Sequence, residues 1–164
     1  MAHKTHHRPA SRSVGVEDLV PLSSAEKHIK VGRGSKLLPA LGIDFGTKFV
    51  GIALAASPLA QPLTIAANND YLLSYICTLI DDYQIHTVVI GISENKTAAL
   101  TKVFAHRLAA TVTARIEFVD ETLSTQVVKA KLAAAGRRLK PDERVDHYAA
   151  AELLQDWLDE QEAL

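Results

Sequence analysis

The chain has 164 residues, of which 48% are hydrophobic and 23% are charged. This length suits one domain, and the composition is that of an ordinary soluble globular protein. No apolar run approaches the roughly 20 residues of a membrane-spanning helix, and the N-terminus lacks the apolar core of a secretory signal. The single cysteine, Cys77, excludes an internal disulfide and a cysteine-based zinc site, so a reducing cytoplasm is the expected compartment.

The formal net charge of −1 conceals an uneven distribution of charge. Residues 1–40 contain seven Lys or Arg and three acids, a net charge of +4, which leaves −5 for the remainder. This basic segment contains Ser, Gly, Pro and His without hydrophobic periodicity, which predicts a disordered N-terminal extension. A nucleic-acid-binding arm is the alternative. We therefore expect one folded domain over residues 41–164.

The first predicted element of this domain is a β-hairpin over residues 41–54. Apolar residues alternate with Asp44 along its first strand, at the period of two of a pleated strand. Gly46 permits a positive φ or a close backbone approach, so the chain can reverse at Thr47 and Lys48. A lone carboxylate in an apolar strand needs a metal ion, a hydrogen-bond donor or an open cleft. A structural acid that caps the Thr47 turn is the alternative for Asp44.

Three further strands and four helices are predicted after the hairpin. Short apolar or β-branched runs predict strands at residues 63–65, 86–92 and 115–119. Helical spacing and capping residues predict helices after residues 68–70, over about 97–113, from Ser124 to Gly136, and from Pro141 onward. This order predicts an α/β fold, with a mixed five-stranded sheet and helices on both faces.

The last predicted helix has an acidic residue at an apolar position. Asp146 recurs at three- and four-residue steps with Ala150, Leu153, Leu154 and Trp157. The spacing therefore predicts that Asp146 lies on the face that packs inward. A charge at the helix N-terminus, favoured by the helix dipole, is the alternative.

A third acidic position is the pair Asp120-Glu121, at the end of a predicted strand. In an open α/β sheet, polar groups at strand ends collect in the crevice beyond the sheet. Carboxylates brought together there repel one another unless a divalent cation neutralises them. Mg²⁺ binds a few carboxylate oxygens and keeps some waters, which leaves positions for a phosphate and a nucleophilic water. Two such ions about 4 Å apart would suit phosphodiester hydrolysis, so the acidic positions predict a metal site.

Three segments together resemble those of a known family. They are Gly42-Ile43-Asp44-Phe45-Gly46-Thr47-Lys48, Val119-Asp120-Glu121-Thr122-Leu123-Ser124-Thr125 and Val145-Asp146-His147-Tyr148-Ala149-Ala150. In this order, over about residues 41–160, they resemble the YqgF/RuvX family, described as Holliday-junction resolvases or pre-16S rRNA processing nucleases. The resemblance implies an RNase H-like fold and a metal-dependent endonuclease acting on structured nucleic acid. Processing of pre-16S rRNA is the first expectation, and branched DNA is the alternative substrate.

The resemblance also implies a set of site residues. Asp44, Glu121 and Asp146 would be the catalytic carboxylates, and Asp120 would join them as a metal ligand. The metal would be Mg²⁺ or Mn²⁺, and a metal-activated water would attack the phosphodiester.

Basic residues in predicted loops could line a path for the nucleic-acid backbone, and solvated charge is the alternative for each. They are Lys48, Lys96, Arg137, Arg138 and Lys140. His147, beside Asp146, could contact phosphate, although a surface histidine is the more common outcome. Glu94 and Glu143 are weaker candidates for the acidic site. Trp157 and Phe104 are predicted to be core residues rather than base-stacking platforms.

Two other functions are compatible with the residues. The turn at residues 44–47 also resembles the phosphate-binding turn of actin-like and sugar-kinase ATPases. Those folds enclose ATP between two such domains, and about 124 residues allow one. A non-catalytic nucleic-acid or ribosome-assembly module is the second alternative. Two departures from the family motivate it: an altered, shorter loop at residues 91–97, and Thr122 where the family has an arginine. We expect a monomer or a homodimer without membrane attachment.

Overall fold

A mixed five-stranded sheet forms the centre of the described part of the chain. The computed structural model describes residues 37–92, 97–120 and 125–163. The strands in these ranges are β1 (Ala40–Phe45), β2 (Phe49–Ala55), β3 (Gln61–Ala67), β4 (Thr87–Ile92) and β5 (Arg115–Asp120). The helices are α1 (Leu72–Asp82), α2 (Thr97–Ala109), α3 (Thr125–Ala134) and α4 (Asp146–Glu162). No described helix has the length and apolar character needed to cross a membrane.

The strand order determines at which end of the strands the predicted site lies. The order is β3-β2-β1-β4-β5. The first three strands pair antiparallel, whereas β4 is parallel to β1 and β5 is parallel to β4. The carboxyl ends of β1, β4 and β5 therefore lie at the same edge, where polar groups of α/β sheets collect. The predicted mixed sheet is confirmed.

Large side chains cover one face of the sheet. Leu41 and Ile43 of β1 are fully buried there and form a core with Ile76 of α1 and Leu108 of α2. Phe45 also lies on this face, with its ring centroid 5.1 Å from that of Phe104 in α2. This layer contains the main hydrophobic core, which stabilises the sheet by removing apolar surface from water.

Small residues cover the opposite face, which packs against α4. A Cβ added to Gly42 would lie 2.8 Å from both the carbonyl oxygen of Ala150 and the Cβ of Leu154. Ala40, Ala53 and other buried small residues join the apolar side chains of α4 in a second cluster. The helix backbone consequently lies close to the strand backbones. The predicted arrangement of helices on both faces is confirmed.

The third helix packs on α4 through a small separate cluster. Val128 of α3 is buried against Val145 and Ala149, and Leu132 and Leu139 flank them. Beyond α3 the chain turns at Gly136, which has a φ of +81° and is therefore a favourable position for glycine. The predicted end of this helix at Gly136 agrees with the structure to within two residues.

The predicted start of the last helix at Pro141 is wrong. The helix begins at Asp146, and residues 143–145 lead into it without helical structure. Glu143 closes the preceding turn, because its carboxylate accepts a 3.1 Å hydrogen bond from the backbone N–H of Lys140 and a 2.7 Å bond from Arg137. Buried Val145 then directs the chain into α4.

Three smaller differences concern element ends. Strand β3 spans Gln61–Ala67, longer than predicted, and α2 ends at Ala109 rather than near residue 113. Leu37 and Leu38 already pack against the cluster under α4. The prediction for residues 1–36, and those for Glu94, Lys96, Glu121 and Thr122, lie outside the described residues.

Candidate active site

Asp44 lies near the carboxyl end of β1, between two glycines. Its register partners are Gly51 on β2 and Gly91 on β4. Strand alternation places Asp44 on the same face as Gly42, which is the face that α4 covers. Because neither register partner has a side chain, the half-buried Asp44 has room beside it for groups that α4 brings.

The first turn of α4 fills the room over Gly51. A Cβ added to Gly51 would lie 2.0 Å from the carbonyl oxygen of Asp146 and 2.8 Å from the backbone nitrogen of His147. Directly paired residues on adjacent strands have Cα atoms about 4.5–5.5 Å apart, so this contact is one strand spacing from Asp44. The backbone of Asp146, at the start of α4, is therefore brought close to Asp44 on one face of the sheet.

The carboxylate of Asp146 is held by Arg144. The guanidinium donates two hydrogen bonds, from Nε to Oδ2 at 3.0 Å and from Nη2 to Oδ1 at 3.1 Å. The guanidinium carbon also lies 3.7 Å from the ring centroid of Phe49, at the start of β2. Arg144 was not among the site residues predicted from the sequence. An arginine two residues before a candidate metal ligand is the signal that could have identified it.

The described residues contain only part of the predicted acidic set. Strand alternation places Asp120 on the same face as Phe118, opposite to Asp44, and its side chain is exposed. Glu121 lies outside the described residues. Within the described ranges, no group of three His, Cys, Asp or Glu side chains is arranged to hold a metal ion. The structure thus brings together Asp44 and Asp146, and does not bring Asp120 to them.

The predicted basic residues occupy two regions near this site. Lys48 is exposed in the β1–β2 turn, where its carbonyl accepts a 2.9 Å hydrogen bond from Asn68 N–H. The side-chain amide of Asn68 also donates to the carbonyl of Gly46 at 2.8 Å, which fixes the turn against the end of β3. Gly46 lies so close to Phe49 that an added Cβ would be 2.4 Å from the carbonyl oxygen of that residue. A close backbone approach therefore explains this glycine.

The second region is the segment between α3 and α4. Arg138 and Lys140 are exposed, whereas Arg137 pairs with Glu143 at 2.7 Å and lies 4.6 Å from the ring centroid of Tyr148. The hydrogen bond from Arg137, together with that from the backbone of Lys140, lowers the pKa of Glu143. Glu143 is therefore a charged partner of Arg137 and closes the turn. Lys96 lies outside the described residues.

His147 is partly buried beside Tyr148, with ring centroids 4.3 Å apart. Among the described residues, its buried Nδ1 has no hydrogen-bond partner. Burial and the charge of Arg137 lower the pKa of His147, against the smaller opposing effects of Asp146 and Glu143. The folded protein therefore favours the neutral imidazole at the start of α4.

The chain matches a known protein family over most of its length. The family model described as "RuvX: Holliday junction resolvase" matches residues 39–160. The chain belongs to this family. It is 34% identical to an Anaeromyxobacter protein named "Putative pre-16S rRNA nuclease" in an alignment 132 residues long, which covers 73% of this chain and 95% of that protein. A Bacillus subtilis protein of the same name is 33% identical and is covered to 96%.

A solved structure confirms the RNase H-like fold that was predicted for this family member. The fold matches that of T. thermophilus RuvC, solved in complex with a Holliday junction substrate, with a TM-score of 0.51 and 12% sequence identity. The match covers 75% of this chain and 94% of RuvC. At this identity the likeness concerns the fold alone.

The core of the RuvX-family domain contains Trp157 and Phe104, as predicted. Both side chains are buried, and the indole nitrogen of Trp157 donates a 2.6 Å hydrogen bond to Oε2 of Glu117 on β5. The other oxygen of Glu117 forms an ion pair with Arg115, without the alignment of a hydrogen bond. This pair lies at the opposite end of β5 from Asp120. The hydrogen bond between Trp157 and Glu117 holds α4 against β5, away from the candidate site.

Proposed function

We propose that this chain is a metal-dependent endonuclease that hydrolyses phosphodiester bonds in structured nucleic acid, first of all in pre-16S rRNA processing. Membership of the RuvX family and the names of its relatives support the reaction class. One structural observation carries the assignment to a site. The start of α4 lies on Gly51, the register partner of Asp44, so two carboxylate residues come to one sheet edge.

Asp44 and Asp146 would hold a divalent cation, Mg²⁺ or Mn²⁺, and we propose Glu121 as the third acidic residue. Carboxylate oxygens are the donors that these hard cations prefer, and Asp44 is only half-buried, so it stays partly accessible to a cation from solution. Asp120 lies on the other face of the sheet, so it would influence the metal only through its neighbour Glu121. When bound, the metal would stabilise phosphate charge and lower the pKa of a coordinated water.

The protein's own groups would position the substrate around these carboxylates. The exposed Lys48 turn lies beyond the end of β1, and Arg138 and Lys140 are exposed before α4. These lysine and arginine side chains would neutralise phosphates and orient the nucleic-acid strand without recognising its base sequence. We include Lys96 and Arg137 in this path. Arg137 would have to exchange Glu143 for a phosphate.

A cleavage assay with purified full-length protein tests the proposal. The substrates are an RNA containing a 16S precursor end and a four-way DNA junction, each with Mg²⁺, Mn²⁺ or EDTA. We expect metal-dependent cleavage that falls at least about 10²-fold in Asp44→Asn and in Asp146→Asn, the scale of losing one electrostatic group at a reaction centre. Asp156→Asn, an exposed carboxylate farther along α4, is the matched control and should cleave normally.

The substrates in this assay separate the remaining possibilities. The family description favours junction DNA as the second candidate substrate, and cleavage of the junction alone would select it. Binding without metal-dependent cleavage, unchanged in Asp44→Asn, would instead indicate a non-catalytic binding module. Stabilisation by ATP with Mg²⁺ would support the ATPase alternative. The cytoplasmic location stays a prediction from the composition.

A further inference from the structure

Arg144 is held between a candidate metal ligand and an aromatic ring. Its guanidinium donates to both oxygens of Asp146, and the same group stacks at 3.7 Å over Phe49. About half of the arginine side chain, 46%, is nevertheless exposed, whereas 24% of the Asp146 side chain is. The side chain of Arg144 is therefore held by two contacts and remains partly exposed to a ligand from solution.

The Asp146 carboxylate is a possible partner of both Arg144 and a divalent cation, and these two interactions compete. A carboxylate whose two oxygens accept from one guanidinium is less attractive to a divalent cation, because the arginine charge repels the cation and occupies lone pairs. The planar fork of arginine fits a phosphate as well as it fits a carboxylate. A substrate phosphodiester can therefore replace Asp146 as the hydrogen-bond acceptor of the Arg144 guanidinium.

We propose that Arg144 contacts a substrate phosphate and exchanges between that phosphate and Asp146. This rests on the proposed function and adds one element to it. Nucleic-acid binding draws Arg144 away from Asp146, which frees the carboxylate for the metal, so that metal and nucleic acid bind cooperatively. The Phe49 ring provides a surface on which the guanidinium can shift while keeping its cation–π contact.

Other ion pairs of the described residues do not have this combination. Arg137 also stacks on an aromatic ring, but its acidic partner Glu143 closes a turn through the backbone of Lys140. Lys131 pairs with Glu152 on α4, two turns from Asp146 and without an aromatic surface. Arg144 thus has a candidate metal ligand as its partner, and Lys131 supplies a matched control.

The first experiment measures nucleic-acid affinity. A labelled RNA hairpin is titrated with full-length protein in EDTA at several NaCl concentrations and followed by fluorescence anisotropy. Arg144→Gln should weaken binding about tenfold and reduce the salt slope by about one, as expected for loss of one phosphate contact. Arg144→Lys should keep most of the salt slope because it keeps the charge. Lys131→Gln should leave affinity and slope unchanged.

The second experiment measures metal affinity by calorimetric titration with Mn²⁺, without activity as a readout. Without nucleic acid, Arg144→Gln should bind Mn²⁺ about threefold to tenfold more tightly, because a repelling charge is removed. Addition of the RNA hairpin should tighten Mn²⁺ binding in the wild type and have less effect in Arg144→Gln, since coupling between two ligands is reciprocal. Phe49→Leu keeps the arginine and should reduce nucleic-acid affinity by less than Arg144→Gln.

Weaker Mn²⁺ binding in Arg144→Gln would show that Arg144 only positions Asp146, and it would overturn the proposal. Unchanged nucleic-acid affinity in both Arg144→Gln and Arg144→Lys would overturn it as well. If Arg144→Gln fails to fold, as judged by circular dichroism, the nucleic-acid titrations of Arg144→Lys and Phe49→Leu decide whether Arg144 contacts the nucleic acid. Failure of the proposed function is distinguishable, because Mn²⁺ binding would then be insensitive to Asp44→Asn.

Discussion

The two faces of the sheet pack by different physical means. Against α1 and α2, long apolar side chains such as Ile43 and Leu41 interdigitate with those of the helices. Against α4, Gly42 and Gly51 have no side chains, and helix backbone atoms take the place that a Cβ would occupy. The first face gains stability from buried apolar volume. The second face gains close backbone approach, which brings the start of α4 next to Asp44.

This difference explains why the candidate site lies on the glycine face. A pair of charged groups that must stay close needs a separation fixed by backbone contacts, because long side chains leave rotamer freedom. The stacked, bidentate Arg144 adds a side-chain constraint at the same place. On the first face, a lost methyl group leaves a cavity. On the second, an added methyl group pushes the helix away from the sheet.

Removing volume from the first face should have the largest effect on stability. Ile43 is fully buried in the main core, so Ile43→Ala should lower the free energy of unfolding by about 2–5 kcal/mol. Ile43→Val should lower it by about 0.5–1.5 kcal/mol. Urea denaturation followed by circular dichroism measures both. Equal effects of the two substitutions would show that the core can collapse around the cavity.

Adding volume to the second face should affect stability less and the site more. The new Cβ of Gly51→Ala would lie 2.0 Å from the carbonyl oxygen of Asp146, so the first turn of α4 must shift. We expect a loss of about 1–3 kcal/mol in the free energy of unfolding, the usual range for overpacking, and loss of metal-dependent cleavage.

Gly136→Ala is the control for this prediction. Among the described residues other than its two chain neighbours, no atom lies within 4 Å of the position that the new Cβ would take, but the φ of +81° makes alanine strained by about 1–2 kcal/mol. A comparable loss of stability should therefore leave cleavage per folded molecule unchanged. If Gly51→Ala retained normal cleavage, the close approach of α4 would not be needed to form the site.

The polar attachment of α4 to β5 should affect stability over a similar range but should not affect the candidate site. Trp157→Phe removes the indole N–H that donates to Oε2 of Glu117 and leaves this part-buried carboxylate oxygen without its donor. The expected loss in the free energy of unfolding is about 1–3 kcal/mol. Glu117→Ala removes the acceptor of this hydrogen bond and also the Arg115 ion pair. A Trp157→Phe, Glu117→Ala double variant less destabilised than the sum of the single variants would confirm the coupling.

The smallest predicted effect is a pH dependence at the start of α4. The pKa of His147 is lowered in the folded state, chiefly by burial, so the unfolded chain binds a proton more readily. Its contribution to stability is therefore fully present above the unfolded pKa of about 6.5 and is lost as pH falls below that value and through the lower pKa of the folded state. His147→Gln should flatten the decline of stability between about pH 7 and pH 5.

The matched control is His106→Gln, an exposed histidine on α2 that should leave this pH profile unchanged. Urea denaturation at each pH gives both profiles. A steeper decline in His147→Gln would mean that the folded protein stabilises the charged imidazole.

Most of the fold could be predicted because its signals are local. The alternation around Asp44, the apolar run of β4 and the helical stripes of α1 and α2 each reflect a period set by backbone geometry. The strands were assigned correctly, apart from the length of β3. The start of α4 was misplaced because Pro141 is a favourable first residue of a helix by itself, whereas the carboxylate of Glu143 closes a turn by accepting hydrogen bonds from Arg137 and Lys140, which both precede it.

The sequence by itself determined the strand that contains Asp44, the apolar stripe of the helix that begins at Asp146, and the family motifs that connect them. The tertiary structure decided that these two residues meet, because the absence of a side chain at Gly51 allows the backbone of α4 to lie on β2. It also decided that Arg144 bonds Asp146 and stacks on Phe49. Contacts between residues far apart in the chain have no period, so local sequence patterns do not record them.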